Sequence, residues 1–460
     1  MIDDIDQLYG RPARDRYAAG LAHRSEVPLG AHATVPTEDR RADPLELLTA
    51  QDEMRQPDLV PIRHGRMGAT PFTFYRGAAA VMAADLSLTP TTDLRVQLCG
   101  DAHLSNFGIF KSPDRRMVFD LNDFDETTPG PFEWDLKRLA ASITVAGRDN
   151  GISPTKTARS TRAAVRGYRE TIVRAAAMSP LEVHYHRLEV NDIVERLGEK
   201  RPKSREKALA KAHRKDSMRA LDKLTEVVGD RRVIVPDPPV ITRVDELLEH
   251  AERDNLVRFL HDYVATLPPH RRVLFEHYRY IDMAHKVVGV GSVGTRCLVL
   301  LTESGEGEPL FLQLKEATRS VLEPYVGASG FEQAGERVVR GQQLMQSTGD
   351  VFLGWARYRS GDGRRLDFYF RQLWDGKGSA EIEDMGGGRL TRYAWFCGAT
   401  LALAHARSSD AALLAGYVDD EALDHALEEF ASGYADLTER DHAAHRAAIH
   451  EGRIAAVDDL

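Results

Sequence analysis

Gly100-Asp101-Ala102-His103-Leu104-Ser105-Asn106-Phe107 and, a short way on, Val118-Phe119-Asp120-Leu121-Asn122-Asp123-Phe124-Asp125-Glu126 hold the densest chemistry in this chain. LRVQLC (94–99) reads as a strand that delivers the first loop, and RRMVFDL (115–121) as a second strand that delivers the other. Asp101, Asn106, Asp120, Asp123 and Asp125 are thereby crowded between two strands. A single aspartate commonly caps a helix or closes a turn. A group this dense repels itself unless a cation sits among its members. Hard cations such as Mg2+ take oxygen ligands, commonly one or two carboxylates together with substrate phosphates. In phosphoryl transfer one Asp positions or deprotonates the attacking hydroxyl, while an Asn and another Asp hold the metal. The spacing suits that division of labour.

Outward from these loops the pattern turns helical at about 134 (WDLKRLAASITVAG), and residues 152–285 are predicted to be mostly helical. Within them KRPKSREKALAKAHRKDSMRALDK (200–223) is strongly basic and reads as a solvated helix or linker. At 287 the character changes to strands and turns. Gly289, Gly291, Ser292 and Gly294 lie in GVGSVG, followed by RCLVLL, which continues as a strand. A dinucleotide fingerprint runs from strand into helix, so a glycine-rich hairpin over nucleotide phosphates fits better. Lys315 stands among apolar neighbours on the strand FLQLKEA and needs an anionic partner. A nucleotide phosphate would supply one, and Glu336 in the following helix (331–346) would orient the side chain, with Glu332 one turn before it. RLDFYFRQLWD (365–375) would be the connection against which an adenine lies, with no single residue standing out.

The chain has 460 residues, 42% hydrophobic and 28% charged, with a net charge of −9. These are ordinary globular values and exclude wholesale disorder. The net acidity gives no general affinity for nucleic acid. No apolar run is long enough to span a membrane, and the N-terminus lacks an apolar signal region. Cys99, Cys297 and Cys397 form no CxxC pair, so a cytoplasmic protein without a disulfide framework is expected. Residues 1–60 read as an irregular or partly helical arm. Weaker candidates are Arg76 for phosphate, Asp135 as an anchor for the helix after the acidic loop, and His405 as an orienter of the active loop. His184 with His186, and His442 with His445, read as solvated pairs without a third metal ligand.

GDAHLSNFG with VFDLNDFDE resembles the catalytic and metal loops of the aminoglycoside-phosphotransferase branch of the protein-kinase-like fold. The whole chain also resembles a bacterial family catalogued as domain of unknown function 2252, through RMGATPFTFYRG, CGDAHLSNFG, FDLNDFDET, WDLKRLA, KVVGVGSVGTRC, LQLKEA and LALAHARSSD. The kinase resemblance implies Asp101 as catalytic base, with His103 on the same loop, and Asn106 as a metal ligand. It implies Asp120 as the main metal aspartate because it ends the strand. Asp123 is its rival because DFD resembles the kinase DFG, and Asp125 lies beside them. Lys315 would hold the α/β-phosphates of ATP and Glu336 would pair with it. In ordinary kinases the glycine loop and lysine come first. Here they follow the catalytic loop, so a kinase-like chain would be circularly permuted. Arg296 stands where kinases usually carry Val.

The expectation is an α+β protein with a two-lobed, protein-kinase-like, circularly permuted fold. A small antiparallel β lobe would span 287–376, and a largely helical lobe would be built from 61–286 and 377–460. The expected activity is ATP- and Mg2+-dependent phosphoryl transfer to a hydroxyl of a small molecule or protein. Nucleotidyl transfer of AMP, a non-catalytic nucleotide-binding module and a metal-dependent hydrolase are the alternatives.

Overall fold

The computed structural model describes residues 10–191, 193, 224–229, 231–238, 241–243, 250–286, 293–360, 363–373 and 378–457. From the N-terminus, α1 (Ala13–Ala22), α2 (Pro44–Asp52) and α3 (Pro71–Gly77) precede β1 (Arg95–Leu98), β2 (Phe107–Lys111), β3 (Met117–Leu121) and β4 (Thr128–Pro131). β4 runs directly into α4 (Phe132–Asp149), and α5 (Pro154–Ala176) follows. The fold is α+β, and its sheets are antiparallel. Among the described residues no helix is long and apolar enough to cross a membrane.

The helix predicted from 134 is α4, and it is the centre of the helical part. Every residue from Phe132 to Gly147 is buried, charged ones included. Those charges are matched locally: Glu133 accepts from the Thr92 hydroxyl at 2.9 Å, and Lys137 donates to Thr89 Oγ1 at 3.0 Å. Around it pack α5, α8 (Gly387–Ser408) and α10 (Ala422–His450), with α9 (Ala411–Val418) packed on α5.

Between α5 and α8 the backbones touch. A Cβ at Gly398 would lie 1.9 Å from the Ala164 carbonyl oxygen, and one at Gly167 would lie 2.3 Å from that of Trp395. The N-terminal arm is partly helical, and it is docked on the body. α1 lies on α9, and Arg16 bonds Asp410 at 2.6 Å. Arg41 forks between Asp85 and Asp441.

The second part is a six-stranded sheet. Its strands are β5 (Ile241–Arg243), β6 (Tyr278–Lys286), β7 (Cys297–Ser304), β8 (Pro309–Ala317), β9 (Gly354–Arg359) and β10 (Arg365–Gln372). Their spatial order is β9-β10-β8-β7-β6-β5. Helix α6 (His250–Thr266) lies between β5 and β6 in sequence, and α7 (Ala334–Met345) lies between β8 and β9.

The sheet takes in β5 and β6, which precede the boundary expected at 287. The central Asp282 hides β6 from a hydropathy reading. It is buried because it accepts from the Ile234 backbone N–H at 2.7 Å and from Arg243 at 3.2 Å.

Side chains alternate across a strand. On β8, Leu310, Leu312 and Leu314 join Phe259 and Tyr263 of α6 in one apolar cluster. Phe311, Gln313 and Lys315 therefore share the other face, where Phe311 packs with Ile234, Ile241 and Leu373 and Lys315 reaches the acidic loops. All nine residues of β8 are buried.

Overpacking a close helix crossing typically costs about 1–3 kcal/mol. Gly398→Ala is expected to lower unfolding stability by about that amount, measured by urea denaturation, because neither backbone at the contact can give way.

Candidate functional site

Two ladders bring the acidic loops together. Leu98 at the end of β1 pairs with Thr128 at the start of β4, and Phe107 at the start of β2 pairs with Leu121 at the end of β3. The segments 99–106 and 122–127 therefore leave the same strand ends side by side. Contact is closest at Gly100, whose φ is +86° and whose missing Cβ would sit 2.2 Å from the Glu126 carbonyl oxygen. Only glycine fits that conformation and that gap.

Asp135, expected to anchor the helix after the acidic loop, instead holds the first loop from below. Its carboxylate accepts the Cys99 and Gly100 backbone N–H groups at 2.8 and 3.0 Å. His405 of α8 stands 3.2 Å from the same carboxylate, and its other ring nitrogen bonds the Tyr168 hydroxyl at 2.8 Å.

Asp101 is set at the tip of the loop. Arg138 of α4 donates from Nε to Asp101 Oδ1 at 2.8 Å, donates to the Tyr75 carbonyl at 2.7 Å and stacks 3.8 Å above the Tyr75 ring. Asn106 donates from Nδ2 to the Asp101 carbonyl at 2.7 Å, which leaves its Oδ1 for another ligand. His103 Nδ1 accepts from Ser105 N, so Nε2 carries the proton and faces Asp101 Oδ2 at 3.6 Å. Burial, with Arg76 and Arg138 nearby, holds the His103 imidazole well below its ordinary pKa and neutral. Burial also pushes the Asp101 carboxyl up, against the pull of Arg138.

Lys315 reaches across from β8. Its Nζ lies 2.5 Å from Asp125 Oδ2 and 3.6 Å from Asp123 Oδ1. Tyr369, opposite Lys315 on β10, donates its hydroxyl to Asp125 Oδ1 at 2.7 Å. Burial alone would push the Asp125 carboxyl up; Lys315, the Tyr369 hydroxyl and Arg371 outweigh it and hold the group below its ordinary value. Burial likewise opposes the Lys315 charge, but Asp123 and Asp125 hold its pKa well above the ordinary one. Asp101, His103, Asn106, Asp123, Asp125 and Glu126 line one cleft, facing Thr295 and residues 316–319 of the sheet part.

Not every expected residue is there. Asp120 faces the interior: it accepts the Leu121 N–H at 2.9 Å and the Ser347 N–H and hydroxyl at 2.9 and 2.8 Å, with Arg407 3.7 Å away. Its oxygens are committed to holding the end of α7, so Asp123 and not Asp120 occupies the cleft. Glu336 does not meet Lys315; it turns outward and pairs with Arg340 at 3.4 Å. The next residue, Arg337, turns inward and donates to the carbonyls of Thr127, Asp125 and Thr318. Gly289, Gly291 and Ser292, and the basic segment 200–223, lie outside the described residues. Gly294 is described, with φ +93°. Its carbonyl accepts from Gln56 N at 2.8 Å, and Arg55 packs against it while donating to the Val293 carbonyl at 2.5 Å. His442 and His445, expected in solvent, are buried. They bond the Gly68 carbonyl at 3.0 Å and His64 at 2.9 Å respectively.

Sequence reasoning missed Arg138, Arg337, Tyr369 and Arg55. Arg138 lies inside the quoted WDLKRLA, where a charged residue in a largely apolar helix was the available signal. Tyr369 lies in a strand where nothing distinguished it from a core aromatic.

The chain matches, over residues 55–448, the family described as uncharacterized protein conserved in bacteria, DUF2252. It belongs to that family. The matched span takes in the acidic loops, Lys315 and α8, and all of the cleft lining except Gln51 and Met54. No curated protein and no solved structure matches the chain.

Lys315→Met is expected to destabilise the protein by about 3 kcal/mol at neutral pH, the low end for a broken buried pair because Asp125 keeps 29% of its side-chain surface toward the cleft. A depressed carboxyl pKa stabilises above the unfolded value of about 4, and that contribution is lost as pH falls through the folded value. The gap between wild type and variant in urea denaturation should therefore be full above about pH 5 and close below it. Glu336→Gln should stay within about 0.5 kcal/mol of wild type in the same measurement.

Proposed function

We propose that this protein is an ATP- and Mg2+-dependent phosphotransferase of protein-kinase-like, circularly permuted architecture, acting on a hydroxyl. The observation that carries the reading is the meeting of the buried Lys315 with Asp123 and Asp125, which line the cleft that also holds Asp101. A kinase small lobe places a glycine-rich turn before the lysine strand. Here β6, the glycine-containing turn, β7 and the lysine strand β8 follow in that order, with α7 next. The sheet then corresponds to the small lobe and the helical part to the large one.

Lys315 would exchange its carboxylate partners in part for nucleotide phosphates. Asp123 and the free Oδ1 of Asn106 would hold Mg2+. All of these donors are oxygens, as a hard cation requires. Among the described residues no three His, Cys, Asp or Glu side chains form a preformed metal cage, which suits an ion that arrives with phosphates and water. When bound, Mg2+ would neutralise charge on the transferring phosphoryl group.

Asp101 would accept the proton of the acceptor hydroxyl as its oxygen bonds the γ-phosphorus. The bond from the γ-phosphorus to the bridging oxygen breaks, and ADP leaves with that electron pair. Its raised pKa brings the Asp101 carboxylate nearer to that of an effective base at neutral pH. Arg138 fixes the carboxylate's direction, and neutral His103 presents an N–H to its second oxygen.

The test is single-turnover consumption of ATP·Mg2+ across a panel of hydroxyl compounds. Asp101→Asn should slow ADP formation by about 10^2–10^4, the range for a lost general base, while AMP-PNP still binds. Identical rates in wild type and variant would refute catalysis through Asp101. Pyrophosphate in place of ADP would assign the cleft to nucleotidyl transfer. Turnover indifferent to Lys315→Ala would assign it to a metal hydrolase. AMP-PNP binding without any product would assign it to a nucleotide-binding module.

A further inference from the structure

Among the described residues, the arginines of the interior bond the protein's own acceptors. Arg63 bonds Asp52, Gln51 and the Gly77 carbonyl; Arg138 bonds Asp101 and the Tyr75 carbonyl; Arg337 bonds three carbonyls; Arg407 bonds those of Met345 and His186. Arg76 differs. It stands at the end of α3 and lines the cleft beside Asp101, His103 and Asn106. Its Nε is sealed from solvent without a hydrogen-bond partner, as are those of Arg63 and Arg337, but where those two bond through their terminal nitrogens, Arg76 makes no hydrogen bond or ion pair among the described residues. A desolvated cation without a bonded anion is unfavourable, and an unpartnered buried donor at a cleft wall has its partner outside the chain.

Its position in the cleft separates it from the nucleotide side. The carboxylates it feels most are Glu383 and Asp101, and Asp101 already commits Oδ1 to Arg138 and turns Oδ2 toward His103. Arg55, the other cleft guanidinium with a buried unpartnered Nε, feels Asp52, Glu126, Asp125 and Glu316 and is tied to the glycine turn through the Val293 carbonyl. Arg55 therefore belongs to the Lys315 end, and Arg76 to the end where the acceptor meets Asp101.

We propose that Arg76 is a specificity-determining residue that binds an oxyanion on the acceptor, so that the hydroxyl compound presented to Asp101 carries a phosphate or carboxylate group. A guanidinium presents a planar fork of donors that matches either group. The proposal rests on the phosphotransfer reading for the word acceptor, but the anion site is testable without it.

The probes are inorganic phosphate and acetate, titrated by calorimetry into the full-length protein saturated with AMP-PNP and Mg2+. Phosphate is expected to bind with the nucleotide in place, and Arg76→Gln to weaken it about ten- to hundredfold, as for a lost charge-assisted contact. Phosphate binding without acetate binding assigns a phosphate-bearing acceptor; acetate binding that also depends on Arg76 extends the class to carboxylates. Without any anion, Arg76→Gln should melt no lower than wild type, because no intramolecular bond is lost.

The proposal is overturned if neither anion binds the wild type, if AMP-PNP displaces both, or if Arg76→Gln binds them as wild type does. A variant that melts well below wild type or fails to fold assigns Arg76 to the structure and overturns it equally. Should AMP-PNP fail to bind while phosphate binds in an Arg76-dependent way, the anion site stands and the phosphotransfer reading falls.

Discussion

A lysine ammonium in the middle of a fully buried β strand keeps its charge only if anions reach it, because desolvation otherwise favours the neutral amine. In this protein those anions come from a loop about 190 residues earlier in the chain: Asp125 at 2.5 Å and Asp123 at 3.6 Å from Lys315. The pair is therefore a tie between the two halves of the molecule as well as the floor of the cleft. Tyr369 and Arg371 on the neighbouring strand reinforce it, the first by bonding Asp125 and the second by bonding the Asn122 carbonyl at 3.0 Å. If the six-stranded sheet shifted relative to the acidic loops, these bonds would break together.

The opposite wall is held by a different device. Asp101 stands at the end of a chain of contacts that runs through the helical core: Tyr168 to His405, His405 to Asp135, and Asp135 to the backbone of Cys99 and Gly100. Arg138 then fixes the Asp101 carboxylate itself. Three long helices, α4, α5 and α8, thus support one loop of a few residues. This is the arrangement expected where a reactive group must be placed on rigid elements. α7 links the two walls, since Arg337 bonds backbone carbonyls of the acidic loop and of the segment after β8.

Within the cleft the charges are unevenly matched. Lys315 is satisfied by the protein, Arg55 is half engaged by the end of the glycine turn, and Arg76, half-buried, bonds no group among the described residues and feels Glu383 and Asp101 only at longer range. A cation at a cleft wall without a bonded anion is tolerated when another molecule supplies one. The gradient from satisfied to unsatisfied cation runs from the Lys315 end of the cleft toward Asp101.

Local patterns in the chain were enough to name the two acidic loops, the strand PLFLQLKEA with its lysine and the helix WDLKRLAASITVAG. Each of these is written in spacing: strand alternation places Lys315 on the face of Phe311 and Gln313, and strands on either side of a loop force its polar residues out. The two strands that precede 287 were not legible: the buried Asp282 interrupts the apolar pattern of β6, and β5 is only three residues long. What only the tertiary structure decided is who meets whom. Successive helix residues point about 100° apart, so a small rotation of α7 chooses between Glu336 and Arg337 as the residue that enters the interior. The chain's spacing does not set that rotation; packing against the sheet does. The same holds for Asp120 and Asp123, three residues apart at a strand end, where the pleat and the position of Ser347 send one carboxylate inward and leave the other to the cleft.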